Sequence, residues 1–161
     1  MSFKDNANEI IERLAQLINE TIPVTWKEVY FEGGIYGEYG GVFYFFNTFE
    51  SDVFTYFYDI PNLYNLDEDV YDHYENELFD CTAELQDLFI ENNQEPWASV
   101  ILIMNEGRKQ DVRFEYIDWS KSPFNQTDRF AYFQYKYLNK SPKNEKEKEV
   151  FLKIAEFEKM M

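Results

Sequence analysis

Positive charge is missing from half of this chain: between Lys27 and Arg108, 80 consecutive residues contain no Lys or Arg, while 18 Asp and Glu fall among them. Over all 161 residues, 15 bases stand against 31 acids, a formal net charge of -16. That balance disfavours stable binding to phosphate backbones or anionic lipid, and it excludes direct nucleic-acid binding as an expected activity. Cysteine is equally scarce, and the lone Cys81 cannot form an internal disulfide. The opening MSFKDNANEII lacks the basic start and continuous apolar stretch of a secretory signal, so a cytoplasmic protein is expected. Long apolar runs are absent too: the longest uncharged one, 97–104, is far short of the roughly 20 residues that cross a bilayer. In such a setting the glycosylation patterns at Asn19, Asn125 and Asn139 carry no meaning. No repeat, low-complexity segment or interdomain linker interrupts the chain.

What is present is a folding composition, 45% hydrophobic and 20% aromatic, far from that of acidic chains that stay disordered. The length suits one domain over 1–161. Ile10, Ile11, Leu14, Leu17 and Ile18 recur at helical spacing and predict a first amphipathic helix over 6–20. β-branched and aromatic residues predict strands over 24–31, 42–46, 53–58, 97–104 and 112–116. The segment 42–46 is apolar on both strand faces, which suits a strand covered on both sides or one whose outer face meets a partner. Between 67 and 93, Tyr71, Tyr74, Leu78, Cys81, Leu85 and Leu88 alternate by three and four, predicting a long helix with one apolar face. Two further helices are predicted over 127–138 and 143–161. The expected fold is therefore α+β: an antiparallel sheet of about five strands, an N-terminal helix, a long acidic central helix and C-terminal helices.

The negative charge is unevenly placed. Residues 1–105 hold 21 acids and 3 bases, whereas 106–161 hold 10 acids and 12 bases. On the central helix the acids have no Lys or Arg for i,i+4 pairing, and each like-charge pair at that spacing costs about 0.2–0.5 kcal/mol. Two readings fit: the acids keep an aromatic-rich protein soluble, or they create a coherent field that speeds encounter with a basic partner.

Signals of chemistry are sparse. Asp69, His73 and Glu77 lie one turn apart, but nothing supplies a second ligand cluster, and 67–69 does not begin a calcium loop, so no metal site is expected. The cluster Gly33, Gly34, Gly37, Gly40, Gly41 precedes a strand, lacks a Lys and holds a Glu, which predicts a hairpin or flexible loop, not a phosphate cradle. No Ser sits in a nucleophile elbow, and Cys81 lies on the apolar helix face with no basic neighbour. Enzymatic activity, cofactors and small-molecule substrates are not expected. Tyr36 and Tyr39, amphipathic residues in the glycine-rich loop, are candidates for a binding surface.

One ordered set of residues spans 10–138: Ile22-Pro23, Trp26-Lys27-Glu28-Val29-Tyr30, Val42-Phe43-Tyr44-Phe45-Phe46, Asp59-Ile60-Pro61, Gln94-Glu95-Pro96-Trp97, Phe114-Glu115-Tyr116-Ile117-Asp118-Trp119, and Arg129 before Tyr135-Lys136-Tyr137-Leu138. It resembles the YezG-like antitoxins, immunity proteins of Gram-positive bacteria. The resemblance implies a non-enzymatic cytoplasmic protein that binds the C-terminal nuclease domain of a type VII-secreted toxin, with 139–161 a variable helical extension. It carries no short motif whose residues transfer singly. A nuclease presents a basic surface to nucleic acid, so an acidic protein can bind there. The expected surface comprises Asp69, Asp72, Glu75, Glu77, Asp80, Glu84 and Asp87 of the long helix, with Tyr36, Glu38 and Tyr39 of the loop. A secretion adaptor that escorts an exported protein without inhibiting it is the alternative. A small hydrolase using scattered carboxylates is more remote.

Overall fold

The computed structural model describes residues 2–107 and 109–161; Arg108, where the base-free stretch ends, lies outside them. The chain divides into two compact units, Met1–Tyr116 and Ile117–Met161.

The first unit opens with α1 (Phe3–Thr21), whose N-cap Ser2 accepts a hydrogen bond from the Asp5 amide at 3.1 Å. Five strands follow: β1 (Glu28–Tyr36), β2 (Tyr39–Thr48), β3 (Ser51–Tyr56), β4 (Ser99–Asn105) and β5 (Gln110–Glu115). They form one sheet in the order β3-β2-β1-β4-β5, with every neighbouring pair antiparallel. A 3₁₀ turn (Phe57–Asp59), the short α2 (Ile60–Leu63) and the long α3 (Glu68–Glu91) connect β3 to β4. The expected α+β architecture with a five-stranded antiparallel sheet is thus the observed one.

Alternation dictates which residues enter the core. Val29 and Phe31 of β1, Val42, Tyr44 and Phe46 of β2, and Val100, Leu102 and Met104 of β4 are buried with Ile10, Leu14 and Ile18 of α1. On α3, Tyr71, Leu78, Cys81 and Leu85 are buried, the face predicted from their spacing. Fully burying one such aliphatic or aromatic side chain contributes about 1.5–3 kcal/mol. Helices α1 and α3 run antiparallel against each other: Phe3 meets Phe89 edge-on at 5.0 Å, Cys81 Sγ lies 3.7 Å from the Ile10 carbonyl, and the Tyr71 hydroxyl donates to the Thr21 carbonyl at 2.6 Å. The opposite sheet face carries aromatic contacts of its own, Phe45 with Tyr56 at 5.1 Å and Tyr30 with Phe54 at 5.7 Å.

Two local expectations are sharpened. Of the two forms expected for the glycine cluster, the structure has the hairpin, but with a shorter turn than the cluster: Gly33 and Gly34 lie within β1 and Gly40 and Gly41 within β2, leaving only Gly37 (φ 62) in the turn. The reason is close packing. A Cβ on Gly33 would stand 2.7 Å from the Thr82 side chain, and one on Gly40 would stand 2.7 Å from the Phe79 ring and 2.9 Å from the Gly34 carbonyl oxygen. The missing side chains let α3 lie directly on the hairpin. The third strand, expected to run to 58, stops at Tyr56, and α2 begins at Ile60 with Pro61 in its first turn.

The second unit holds a 3₁₀ turn (Trp119–Lys121), α4 (Gln126–Leu138) and α5 (Glu145–Met160). Asn125 and Asn144 cap the two helices through their side chains, and Asn139 closes α4 in the left-handed region at φ 56. Phe151 packs between Tyr132 and Tyr135, at 5.8 and 4.9 Å, while Glu158 accepts hydrogen bonds from Tyr132 at 2.7 Å and Lys136 at 3.1 Å. Among the described residues, no helix is long and apolar enough to cross a membrane.

Candidate protein-binding surface

Helix α3 has 24 residues, nine of them acids, and none of the nine lies on its buried face. Asp67 caps it by accepting the Asp69 amide at 2.9 Å, and Glu68 and Asp69 in the first turn complement the helix dipole. Its last turn contains no base, so Asp87 and Glu91 sit at the unfavourable end.

The seven acids singled out on this helix fall into two groups. Three have partners inside the first unit. Glu84 is held by Arg13 of α1 through two hydrogen bonds of 2.8 Å. Glu75 accepts the Tyr58 hydroxyl at 2.5 Å, and Glu77 lies 2.9 Å from His73 Nε2, one turn earlier. These contacts leave electrostatic signatures. The hydrogen bonds from Arg13, partly offset by burial, hold the Glu84 carboxyl below the usual carboxylate range. Burial, followed by the hydrogen bond to Glu75, pushes the Tyr58 hydroxyl well above its ordinary value.

The other four, Asp69, Asp72, Asp80 and Asp87, are exposed, and among the described residues no cation pairs with them. Asp69, Asp80 and Asp87 lie opposite the buried stripe, with Asp72 turned toward the hairpin side. Repulsion along this face goes uncompensated within the helix.

The hairpin tip separates the three residues proposed there. Tyr36 turns inward: its ring lies over Gly34, and its hydroxyl shares a 2.8 Å hydrogen bond with Ser99. Glu38 and Tyr39 stay at the surface, Tyr39 being 73% exposed. Sequence reasoning missed the tertiary partners Arg13 and Tyr58. Three bases among the first 105 residues was the available hint, since so rare a charge as Arg13 is placed against an acid when the fold permits.

Comparison with known proteins places this arrangement in context. The family profile described as "Immunity protein YezG-like" matches residues 7–152. The chain is 35% identical over 162 residues to the "Type VII secretion system protein EsaG" of Staphylococcus aureus, covering 98% of this chain and 99% of that protein. It is 32% identical over 135 residues to "Immunity protein YezG" of Bacillus spizizenii, 84% of each chain, and 26% identical over 141 residues to that of Bacillus subtilis, 88% of this chain and 93% of the relative. With a family profile spanning most of its length and a near full-length relative above 30% identity, this chain belongs to the family of YezG-like immunity proteins.

Proposed function

We propose that this chain is a cytoplasmic antitoxin that binds and neutralises the C-terminal nuclease domain of a type VII-secreted toxin, acting by contact and without catalysis. The observation that carries the reading is the exposed face of α3, where Asp69, Asp72, Asp80 and Asp87 stand without internal cations. A nuclease needs a basic surface for its phosphate substrate, and a rigid helix bearing carboxylates offers that surface a competing set of negative charges. Rigidity matters because side chains on a packed helix lose little further freedom on binding. Glu38 and Tyr39 at the hairpin tip extend the surface, and the cap Asp67 adds charge at its end.

Co-expression tests the role. Growth of cells making the nuclease domain of the cognate toxin is rescued by the wild-type chain. Reversing Asp72, Asp80 and Asp87 together to Lys abolishes rescue and lowers affinity, with the loss largest at low salt, where exposed charges are least screened. Rescue that survives the triple reversal removes this face from the interface. The name of the Staphylococcus relative, a type VII secretion system protein, favours a secretion adaptor as the second reading, and the same experiment separates it: export that needs the chain, with no rescue of growth, identifies an adaptor.

A further inference from the structure

We propose that the apolar corner of Leu63, Leu66 and Val70, where α2 turns into α3, is the anchor of the partner interface and seats an aliphatic or aromatic side chain that a basic protein presents between lysines or arginines; only the partner's identity as a toxin rests on the reading above. The three lie within eight residues of chain and are 62, 40 and 43% exposed. The turn that carries them is closed by its own backbone. The Tyr64 amide donates to the Ile60 carbonyl at 2.9 Å and the Leu66 amide to the Pro61 carbonyl at 2.8 Å, with Asn65 left-handed (φ 54) between them. A closure of this kind folds residue 66 back onto the helix it ends, beside Leu63. Asp67 then caps α3, whose first turn carries Val70. Ile60, Pro61 and Tyr71 of the same segment are buried, so the core is already filled from this turn and the three aliphatic side chains stay outside it.

Single apolar residues at a surface need no explanation, but three on one closed turn form a patch, and patches of that kind mark sites of interaction. The acidic face leaves a role for it. Exposed charge pairs are individually weak and act mainly on the rate of encounter, whereas the lifetime of a complex depends on a few apolar or aromatic side chains buried at its centre. Charge selects the occupant. Between 59 and 72 the chain holds five acids, Asp59, Asp67, Glu68, Asp69 and Asp72, all exposed, and no base. Two of them, Asp69 and Asp72, belong to the exposed face of α3, so the corner is continuous with that surface. A second copy of this chain would set the same five acids against themselves, whereas an apolar protrusion flanked by bases brings contact at the centre and the complementary sign at the rim.

The test uses the full-length chain with labelled Leu and Val methyl groups, titrated in NMR with the peptide acetyl-Lys-Lys-Leu-Lys-Lys-amide. One control peptide replaces its Leu by Gln, which keeps the charge; the other replaces its four Lys by Glu, which keeps the apolar residue. The expected result is shifts at the Leu63, Leu66 and Val70 methyls with the first peptide alone. Equal shifts there with the Gln peptide, or none with any, overturn the anchor. So do concentration-dependent shifts at these methyls without peptide, which identify a second copy as the occupant. Binding kinetics with the toxin domain that growth rescue identifies supply the second arm. Leu63→Gln/Val70→Gln, with circular dichroism and melting unchanged because both side chains are exposed, raises the dissociation rate by roughly tenfold or more at low and at moderate salt, while Asp72→Asn/Asp80→Asn chiefly slows association at low salt. Rescue by wild type with an unchanged dissociation rate in Leu63→Gln/Val70→Gln overturns the anchor and leaves the antitoxin reading standing. Peptide shifts confined to the corner of a chain that fails to rescue do the reverse.

Discussion

The Arg13 guanidinium grips the Glu84 carboxylate from a neighbouring helix, Nη1 to Oε2 and Nη2 to Oε1, both at 2.8 Å. Both side chains are about half exposed, so water screens the pair and its contribution stays below about 1 kcal/mol. Arg13→Ala therefore lowers the melting temperature by no more than about 4 °C at neutral pH. The Glu84 pKa is depressed in the folded state, chiefly by these hydrogen bonds, so the contribution is present above the ordinary carboxylate range and lost as pH falls through the depressed value. Wild type and Arg13→Ala should melt together in strong acid; a gap that persists there rules out the ion pair as its source.

The hairpin glycines make opposite predictions at neighbouring positions. Gly33→Ala drives a methyl into Thr82, which is buried and already donates to the Leu78 carbonyl at 2.9 Å, and Gly40→Ala drives one toward the Gly34 carbonyl oxygen. Each costs about 1–3 kcal/mol by overpacking. Gly41 has nothing within 4 Å of an added Cβ, so Gly41→Ala is neutral or stabilising by up to about 1 kcal/mol. Urea denaturation of the three variants measures the contrast.

Cys81 is the one thiol, and it faces the core between α1 and α3. Burial pushes its pKa up to about 11, and Arg13 opposes this only weakly. In the native state at mildly alkaline pH a thiol reagent should therefore label it no faster than the fold opens, and denaturant should release full reactivity. The raised value has a stability consequence. The neutral thiol's contribution is intact below the ordinary thiol range and is lost as pH rises toward about 11, which alkaline denaturation of Cys81→Ala against wild type detects.

The acidic face of α3 should be working against its own helix. Asp80 faces Glu84 and Asp87 faces Glu91 at i,i+4, and Asp87 also lies near the negative end of the helix. Relieving both pairs with Asp80→Asn and Asp87→Asn returns about 0.4–1 kcal/mol. Melting should rise by roughly 1–4 °C while affinity for the toxin domain falls. A double variant that is more stable and binds equally well would return these acids to a solubility role.

Much of this fold was legible because its signals are local. The spacing of Tyr71, Leu78, Cys81 and Leu85 placed the buried face of α3 correctly, since helical periodicity needs no knowledge of what packs there. The run 42–46 named no core side for β2, because it is apolar on both faces; only the structure puts Val42, Tyr44 and Phe46 in the core with α1 and Phe45 against Tyr56 on the other face. The glycine cluster marked the hairpin but not the ends of its strands, because glycine in a strand and glycine in a loop look alike until the neighbour is known. Here that neighbour is the side chain of Phe79 or Thr82, some 40 residues or more away in sequence.

By itself, the sequence determined the class of fold, the inward faces of α1 and α3 and the presence of a long helix with acids and no bases. These follow from composition and from periods of 2 and 3.6 residues. Only the tertiary structure decided which acids remain free. Arg13 reaches Glu84 across 71 positions, Tyr58 reaches Glu75 across 17, and Tyr36 leaves the surface for Ser99 across 63. Such pairings depend on which segments the sheet register and helix packing bring together, and no local pattern encodes that. The base-free stretch announced a negative surface; of the seven acids singled out on α3, the fold leaves Asp69, Asp72, Asp80 and Asp87 exposed without a partner cation among the described residues.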